Sequence, residues 1–132
     1  MTSPRGVLDT SVVIDLADVD PELLPLESAI SAITLAELAA GPHATRDVAE
    51  AARRQERLVW AAATWEPLPF DASAARSYGS VFAAIRKEGR THRRRLADLL
   101  VAATALANGL PIYTRNPGDL AGLEALLEVV TV

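Results

Sequence analysis

Short apolar segments that alternate with amphipathic ones set the tightest limit on how this chain can fold. Residues 6–8, 29–33, 110–114 and 128–132 have the length and apolar character of buried strands, and Pro67-Leu68-Pro69-Phe70 reads as a further extended piece. Residues 46–63 form a helix with Val48, Ala51, Ala52, Leu58, Val59 and Ala62 on one face and Glu50–Arg54 as an i,i+4 pair. Asp71 caps the next helix, whose buried stripe is Ala74, Ala75, Tyr78, Val81, Phe82 and Ile85. An apolar helix over 96–107 is stopped by Asn108-Gly109, and a short one from Thr34 is stopped by Gly41-Pro42. Another short helix covers residues 120–127. Strands alternating with helices make an α/β domain whose parallel sheet is covered on both faces, and 132 residues suffice for one such domain.

In sheets of that kind ligands sit beyond the carboxyl ends of the strands. Asp9 follows the first strand directly, Glu37 stands just after the second, and Asp119 follows Thr114. Topology alone thus places three acids at one edge. Each also has a structural explanation. Asp9 can cap a helix, Glu37 stands at capping-box spacing from Thr34, and Asp119 can cap a helix from Leu120. Asp98 is harder to explain so, because it lies near the start of an almost wholly apolar helix, where a charge needs a partner. The helix dipole, Arg94 or Arg95 are the structural candidates for that partner.

Taken together, the four acids carry chemistry. Two carboxylates about 4 Å apart repel by roughly 4 kcal/mol at an effective dielectric near 20. Four in one pocket call for a counter-charge or for protonation of some members. A hard divalent cation such as Mg²⁺ prefers oxygen ligands, and it acidifies bound water for a neighbouring carboxylate to deprotonate. Phosphodiester hydrolysis is the reaction that such a site suits.

Charge points toward a phosphate-bearing partner as well. The net charge is −4, yet Arg86, Lys87, Arg90, Arg93, Arg94 and Arg95 face only Glu88 within ten residues, a local +5. The other residues carry seven basic and sixteen acidic groups, or −9. Phosphate responds to local potential, although an arginine-rich stretch also serves as a solvated loop. The chain has no Cys, which excludes disulfides, thiolate zinc sites and a Cys nucleophile. No targeting segment and no apolar run of spanning length is apparent, so a soluble protein without membrane contact is expected.

Four segments carry a resemblance that covers essentially the whole chain in order. They are Val7-Leu8-Asp9-Thr10-Ser11, Ser31-Ala32-Ile33-Thr34-Leu35-Ala36-Glu37-Leu38, Ala97-Asp98-Leu99-Leu100-Val101-Ala102-Ala103-Thr104-Ala105 and Thr114-Arg115-Asn116-Pro117-Gly118-Asp119. In this the chain resembles the PIN-domain ribonucleases, and more narrowly the VapC toxins of type II toxin–antitoxin pairs. The resemblance implies a three-layer α/β/α sandwich with a mainly parallel sheet, as one PIN domain over residues 1–132. It implies a cytoplasmic endoribonuclease that uses Mg²⁺ or Mn²⁺, forms a homodimer and is inhibited by a VapB-type antitoxin. Asp9, Glu37, Asp98 and Asp119 take the catalytic, metal-holding positions, with Asp9 and Asp98 the firmest ligands. Thr10, Ser11, Thr114 and Asn116 orient carboxylates or water, and Arg90, Arg93, Arg94 and Arg115 are candidates for RNA contact. Leu120 stands where the family usually has Phe, a difference of packing.

Other phosphate chemistries fit less well. A receiver domain needs a late Lys, and Lys87 is the only one; Ser11 stands where an Asp-x-Asp phosphatase needs its second acid; Gly-rich phosphate loops are absent. The remaining alternative is a PIN-like module that binds RNA or a partner without cutting, which the presence of all four acids disfavours.

Overall fold

The structure, a computed structural model, describes residues 4–89 and 95–132. Four parallel strands form the sheet: β1 (Arg5–Leu8), β2 (Glu27–Ala29), β3 (Ile112–Thr114) and β4 (Val129–Thr131), in the order β2-β1-β3-β4. Among the described residues five α-helices accompany them: α1 (Thr10–Ile14), α2 (Ala32–Ala40), α3 (Val48–Thr64), α4 (Ala72–Lys87) and α5 (Leu96–Ala107). Successive strand residues point to opposite faces, and the apolar residues of β1 and β3 are buried on both. Val7 and Ile112 pack with α4 and α5 residues such as Val81, Ile85, Leu99 and Ala103. Leu8 and Tyr113 pack on the other side with Val12, Val13, Leu38 and Ala61. The result is the three-layer α/β/α arrangement expected from the alternation.

Strand order decides where a site can lie. The chain leaves β1 toward β2 on one side and leaves β3 toward β4 on the other. Between the adjacent carboxyl ends of β1 and β3 the connections diverge, which opens the crevice where α/β sheets bind ligands. The end of α5 aims the chain into β3. Gly109 takes φ +65°, its N–H donates to the Leu106 carbonyl at 3.1 Å, and the Leu110 N–H donates to the Ala105 carbonyl at 3.0 Å. This is the double bond of a Schellman stop, which the Asn108-Gly109 pair announces in sequence.

Three expectations need correction. The second strand ends at Ala29, and Ser31 caps α2 with its side chain. Residues 30 and 31 read as strand because the chain stays extended up to the Ser31 cap, and Ile30 and Ala32 on either side exchange backbone bonds with Leu68, at 2.9 and 2.8 Å. Residues 117–120 form only a 3₁₀ turn, and turns rather than a helix follow, with Gly122 at φ +100°. On α3, Val48 and Val59 are 84% and 59% exposed. The inward stripe instead runs through Glu50, Arg54, Arg57, Leu58 and Ala61, with Glu50–Arg54 paired at 3.6 Å as the spacing suggests. Polar residues occupy that stripe because a groove, and no apolar layer, faces much of it.

Tyr113 is the largest fully buried side chain, and its ring lies over Gly6. A Cβ at position 6 would stand 2.4 Å from Tyr113 Cε1. Replacing Gly by Ala gains roughly 0.4–1 kcal/mol through the unfolded chain, but overpacking costs about 1–3 kcal/mol, so the clash wins. Gly6→Ala is expected to lower unfolding free energy by about 1–2 kcal/mol in urea titrations. Stability equal to the parent's would show that the ring yields freely.

Candidate active site

Asp9 occupies the first position after β1 and is 3% exposed. It caps α1: its Oδ1 accepts from the Thr10 N–H at 2.8 Å. Its Oδ2 accepts from two hydroxyls, Thr114 Oγ1 at 2.8 Å and Ser11 Oγ at 3.0 Å. Both hydroxyls are themselves oriented by backbone donors: Asn116 N–H to Thr114 Oγ1 at 3.0 Å, and Arg115 N–H to Ser11 Oγ at 3.2 Å. The loop after β3 therefore acts on Asp9 through its backbone. Asn116 contributes this N–H, while its residue as a whole is exposed.

Glu37 reaches the same edge from α2, nearly two turns beyond the Ser31 cap. Thr10 Oγ1 donates to Glu37 Oε1 at 2.6 Å, the short distance of a charge-assisted bond. The capping box from Thr34 does not form, because Thr34 lies inside the helix and the Ser31 hydroxyl accepts its N–H at 3.1 Å. Asp98 lies in the first turn of α5, where the helix dipole favours an anion. Asp119 lies in the turn after β3, and its backbone carbonyl accepts from Arg95 Nη1 at 2.6 Å.

These four acids act on one another. Burial pushes the Asp98 carboxyl up to about 7, and the negative charges of Asp9, Asp119 and Glu37 push the same way, with Arg95 opposing. Burial also raises the Asp9 carboxyl, against its hydrogen bonds to Thr114, Ser11 and Thr10, with Asp119 adding a smaller upward push. Among the described residues no three Asp, Glu or His side chains form a closed ligand set for one ion. The donors nevertheless suit a hard divalent cation in kind: all are oxygen, all are anionic when ionised, and their mutual repulsion is what a cation relieves.

A groove of about 440 Å³ opens beside this cluster, lined by Ile14, Glu37, Leu38, Glu50, Arg54 and Arg57 among others. Arg54 is committed, donating to the Gly41 carbonyl at 2.9 Å. The sequence reading missed this groove, since Arg54 and Arg57 look like the solvent face of a helix. It also missed Ser31 and Thr34, whose three-residue spacing was the available signal. Arg115 folds back onto α1, with its Nε 3.6 Å from Asp15 Oδ2 and its Nη1 buried. Arg90, Arg93 and Arg94 lie outside the described residues.

Comparison with known proteins gives a consistent result. The family model of the PIN domain matches residues 6–121. Ribonuclease VapC5 of Mycobacterium tuberculosis is 36% identical, over 99% of this chain and 98% of its own length. The VapC ribonuclease Y4jK of Sinorhizobium fredii is 34% identical, over 91% of this chain and 94% of its own. Among solved structures, a member of the VapBC family of toxin–antitoxin systems, VapBC-5 from M. tuberculosis, matches with a TM-score of 0.83 at 36% identity, covering 98% of each chain. FitAcB from Neisseria gonorrhoeae matches with a TM-score of 0.69 at 26% identity, covering 94% of this chain and 95% of that one.

The Asp98 shift has a measurable consequence. In the unfolded chain its carboxyl titrates near 3.8, whereas in the fold it keeps its proton up to about 7. Between those values the folded state binds more protons, so metal-free stability falls as pH rises and levels off above about 7. The raised Asp9 carboxyl acts in the same direction. Asp98→Asn is expected to flatten the decline of melting temperature from pH 4 to pH 7 in chelator. Parallel curves for parent and variant would remove Asp98 as its cause.

Proposed function

The chain belongs to the PIN-domain family, among the VapC ribonucleases, and on that footing we propose that it cuts RNA internally with Mg²⁺ held by Asp9, Glu37, Asp98 and Asp119. The observation that supports this most is the gathering of the four acids at the β1–β3 crevice, where burial first, and the charges of Asp9, Asp119 and Glu37 after it, push the Asp98 carboxyl up to about 7. A structural role for each acid alone leaves that convergence without a reason. Mn²⁺ has the same preference for oxygen and serves as a substitute.

Each acid has its own task in this reading. Asp9, fixed by three donors, presents one rigid carboxylate to the crevice. Glu37 is steered by Thr10, and Asp119 sits on a turn that Arg95 braces. When bound, the divalent cation supplies Lewis acidity to water and to the phosphodiester. Hydrolysis adds water across a P–O bond, so one proton must leave the attacking water and one must reach the departing oxygen. A carboxylate of the cluster would accept the first, and solvent water would deliver the second.

The same reading includes a VapB-type antitoxin, supported by likeness to the VapBC-5 toxin–antitoxin structure, and a homodimer as the family resemblance implies. It places the enzyme in the cytoplasm; no helix among the described residues is long and apolar enough to cross a membrane. Arg90, Arg93 and Arg94 remain proposed phosphate contacts. For Arg115 the pair with Asp15 favours bracing of α1 over contact with RNA.

Substituting Asp9→Asn or Asp98→Asn is expected to reduce single-turnover cleavage of RNA at least about 100-fold while keeping the parent's circular dichroism spectrum. Chelator should silence the parent, and Mg²⁺ or Mn²⁺ should restore it. Parental cleavage by either variant, or by the parent in excess chelator, would overturn the proposal.

A further inference from the structure

Six polar or charged residues are buried among the described residues, and all but Thr104 belong to the edge that carries the acids. Asp9, Thr10 and Thr114 have tasks there already. Ser31 and Thr34, both 0% exposed, do not. Hydroxyls at the base of an apolar core cost free energy unless every proton and lone pair is used. The four groups Ser31, Thr34, Thr10 and Glu37 stand in a chain of contacts: Ser31 Oγ to Thr34 Oγ1 at 3.5 Å, Thr34 Oγ1 to Thr10 Oγ1 at 2.9 Å, and Thr10 Oγ1 to Glu37 Oε1 at 2.6 Å.

Proton counting gives the chain a direction. An ionised carboxylate can only accept, and a hydroxyl has one proton to give. Thr10 gives its proton to Glu37, so the 2.9 Å contact between the threonines must be donated by Thr34. Ser31 Oγ stands 3.5 Å from Thr34 Oγ1, long for more than a weak bond, and its oxygen is held by the Thr34 N–H at 3.1 Å as the cap of α2. Every donor in the series points toward Glu37, and donors aligned this way strengthen one another. A free Glu side chain has rotamer entropy to lose, and such a series is a means of losing it before substrate arrives.

We propose that Thr34, anchored by the Ser31 cap, is a positioning residue that aims Glu37 at the cluster through the Thr10 hydroxyl. Thr34 touches neither RNA nor a cation in this scheme. Its effect passes through Thr10, so it sets how readily Glu37 joins the other three acids. The proposal rests on the reading that Glu37 serves the metal-dependent cleavage.

The test compares Thr34→Val, which keeps the shape and removes the hydroxyl, with Thr34→Ser, which restores it. Thr34→Ala stands in where Val at this site prevents folding. Three quantities are read: melting temperature, Mn²⁺ affinity by calorimetry without RNA, and single-turnover cleavage. Loss of an orienting partner of this kind typically costs 10–100-fold in metal affinity or activity. Thr34→Val is expected to weaken Mn²⁺ binding and slow cleavage by about 10-fold, with RNA affinity unchanged, and Thr34→Ser to recover most of both. In a Glu37→Gln background Thr34→Val should add less than about twofold, because the two act in series. A lower melting temperature with parental Mn²⁺ affinity and cleavage would reduce Thr34 to core packing and overturn the proposal. Parental cleavage by Glu37→Gln itself would overturn the underlying reading of Glu37, and this inference with it. Impaired Glu37→Gln beside unimpaired Thr34→Val would overturn this inference alone.

Discussion

Asp9 is a carboxylate with almost no exposure to water, and much of the surrounding structure is arranged to make that tolerable. Desolvating an ionised carboxylate costs several kcal/mol even after relaxation, and hydrogen bonds to a charged group return roughly 1.5–3 kcal/mol each. Three such bonds converge on Asp9, from α1, from the end of β3 and from Ser11. Two of them are local to the turn into α1, and the third, from Thr114, exists only because β1 and β3 are neighbours. Gly6 belongs to the same requirement: its missing side chain lets the Tyr113 ring close over β1, so that Thr114 arrives beside Asp9. Sheet order, glycine and hydroxyls are thus parts of one solution to one buried charge.

The solution holds Asp9 and leaves the cluster under strain. Asp98 has the N-terminus of α5 and the charge of Arg95 in its favour, yet burial and three neighbouring acids outweigh both. Gathering like charges at this edge costs stability, a cost that the proposed chemistry would explain. The two halves of the cluster are held differently. Asp9 is bound to backbone-oriented donors, whereas Glu37 hangs on a series of hydroxyls that begins at a helix cap. A cation binding between them would meet one fixed ligand and one steered ligand.

What could be read from the sequence follows a physical line. The alternation of strand and helix is a property of local periodicity, and it fixed the layers and the position of Asp9, because a strand followed at once by a capping acid leaves little freedom. The stop of α5 was legible because Asn108-Gly109 fits a left-handed turn. Residues 29–33 misled because extended backbone paired with one distant residue, Leu68, looks locally like strand. Residues 120–127 misled because an apolar run at helical spacing packs equally well as successive turns around Leu120 and Leu123. On α3 the apolar positions were counted correctly, but which face points inward was decided by α2 and the groove, which no window of the helix contains. The hydroxyl series from Ser31 to Glu37 joins residues 24 and 27 positions apart in the chain and was invisible for the same reason.

On the proposed function, a proton on this cluster gives way to a divalent cation. Calorimetric titration with Mg²⁺ in two buffers of different ionisation enthalpy counts the protons that leave on binding. With the Asp98 carboxyl at about 7, release should approach about one proton per chain near pH 6 and fall toward zero by about pH 9. Asp98→Asn should release almost none at either pH. Mg²⁺ binding with no proton release at pH 6, or no binding at all, would contradict the account.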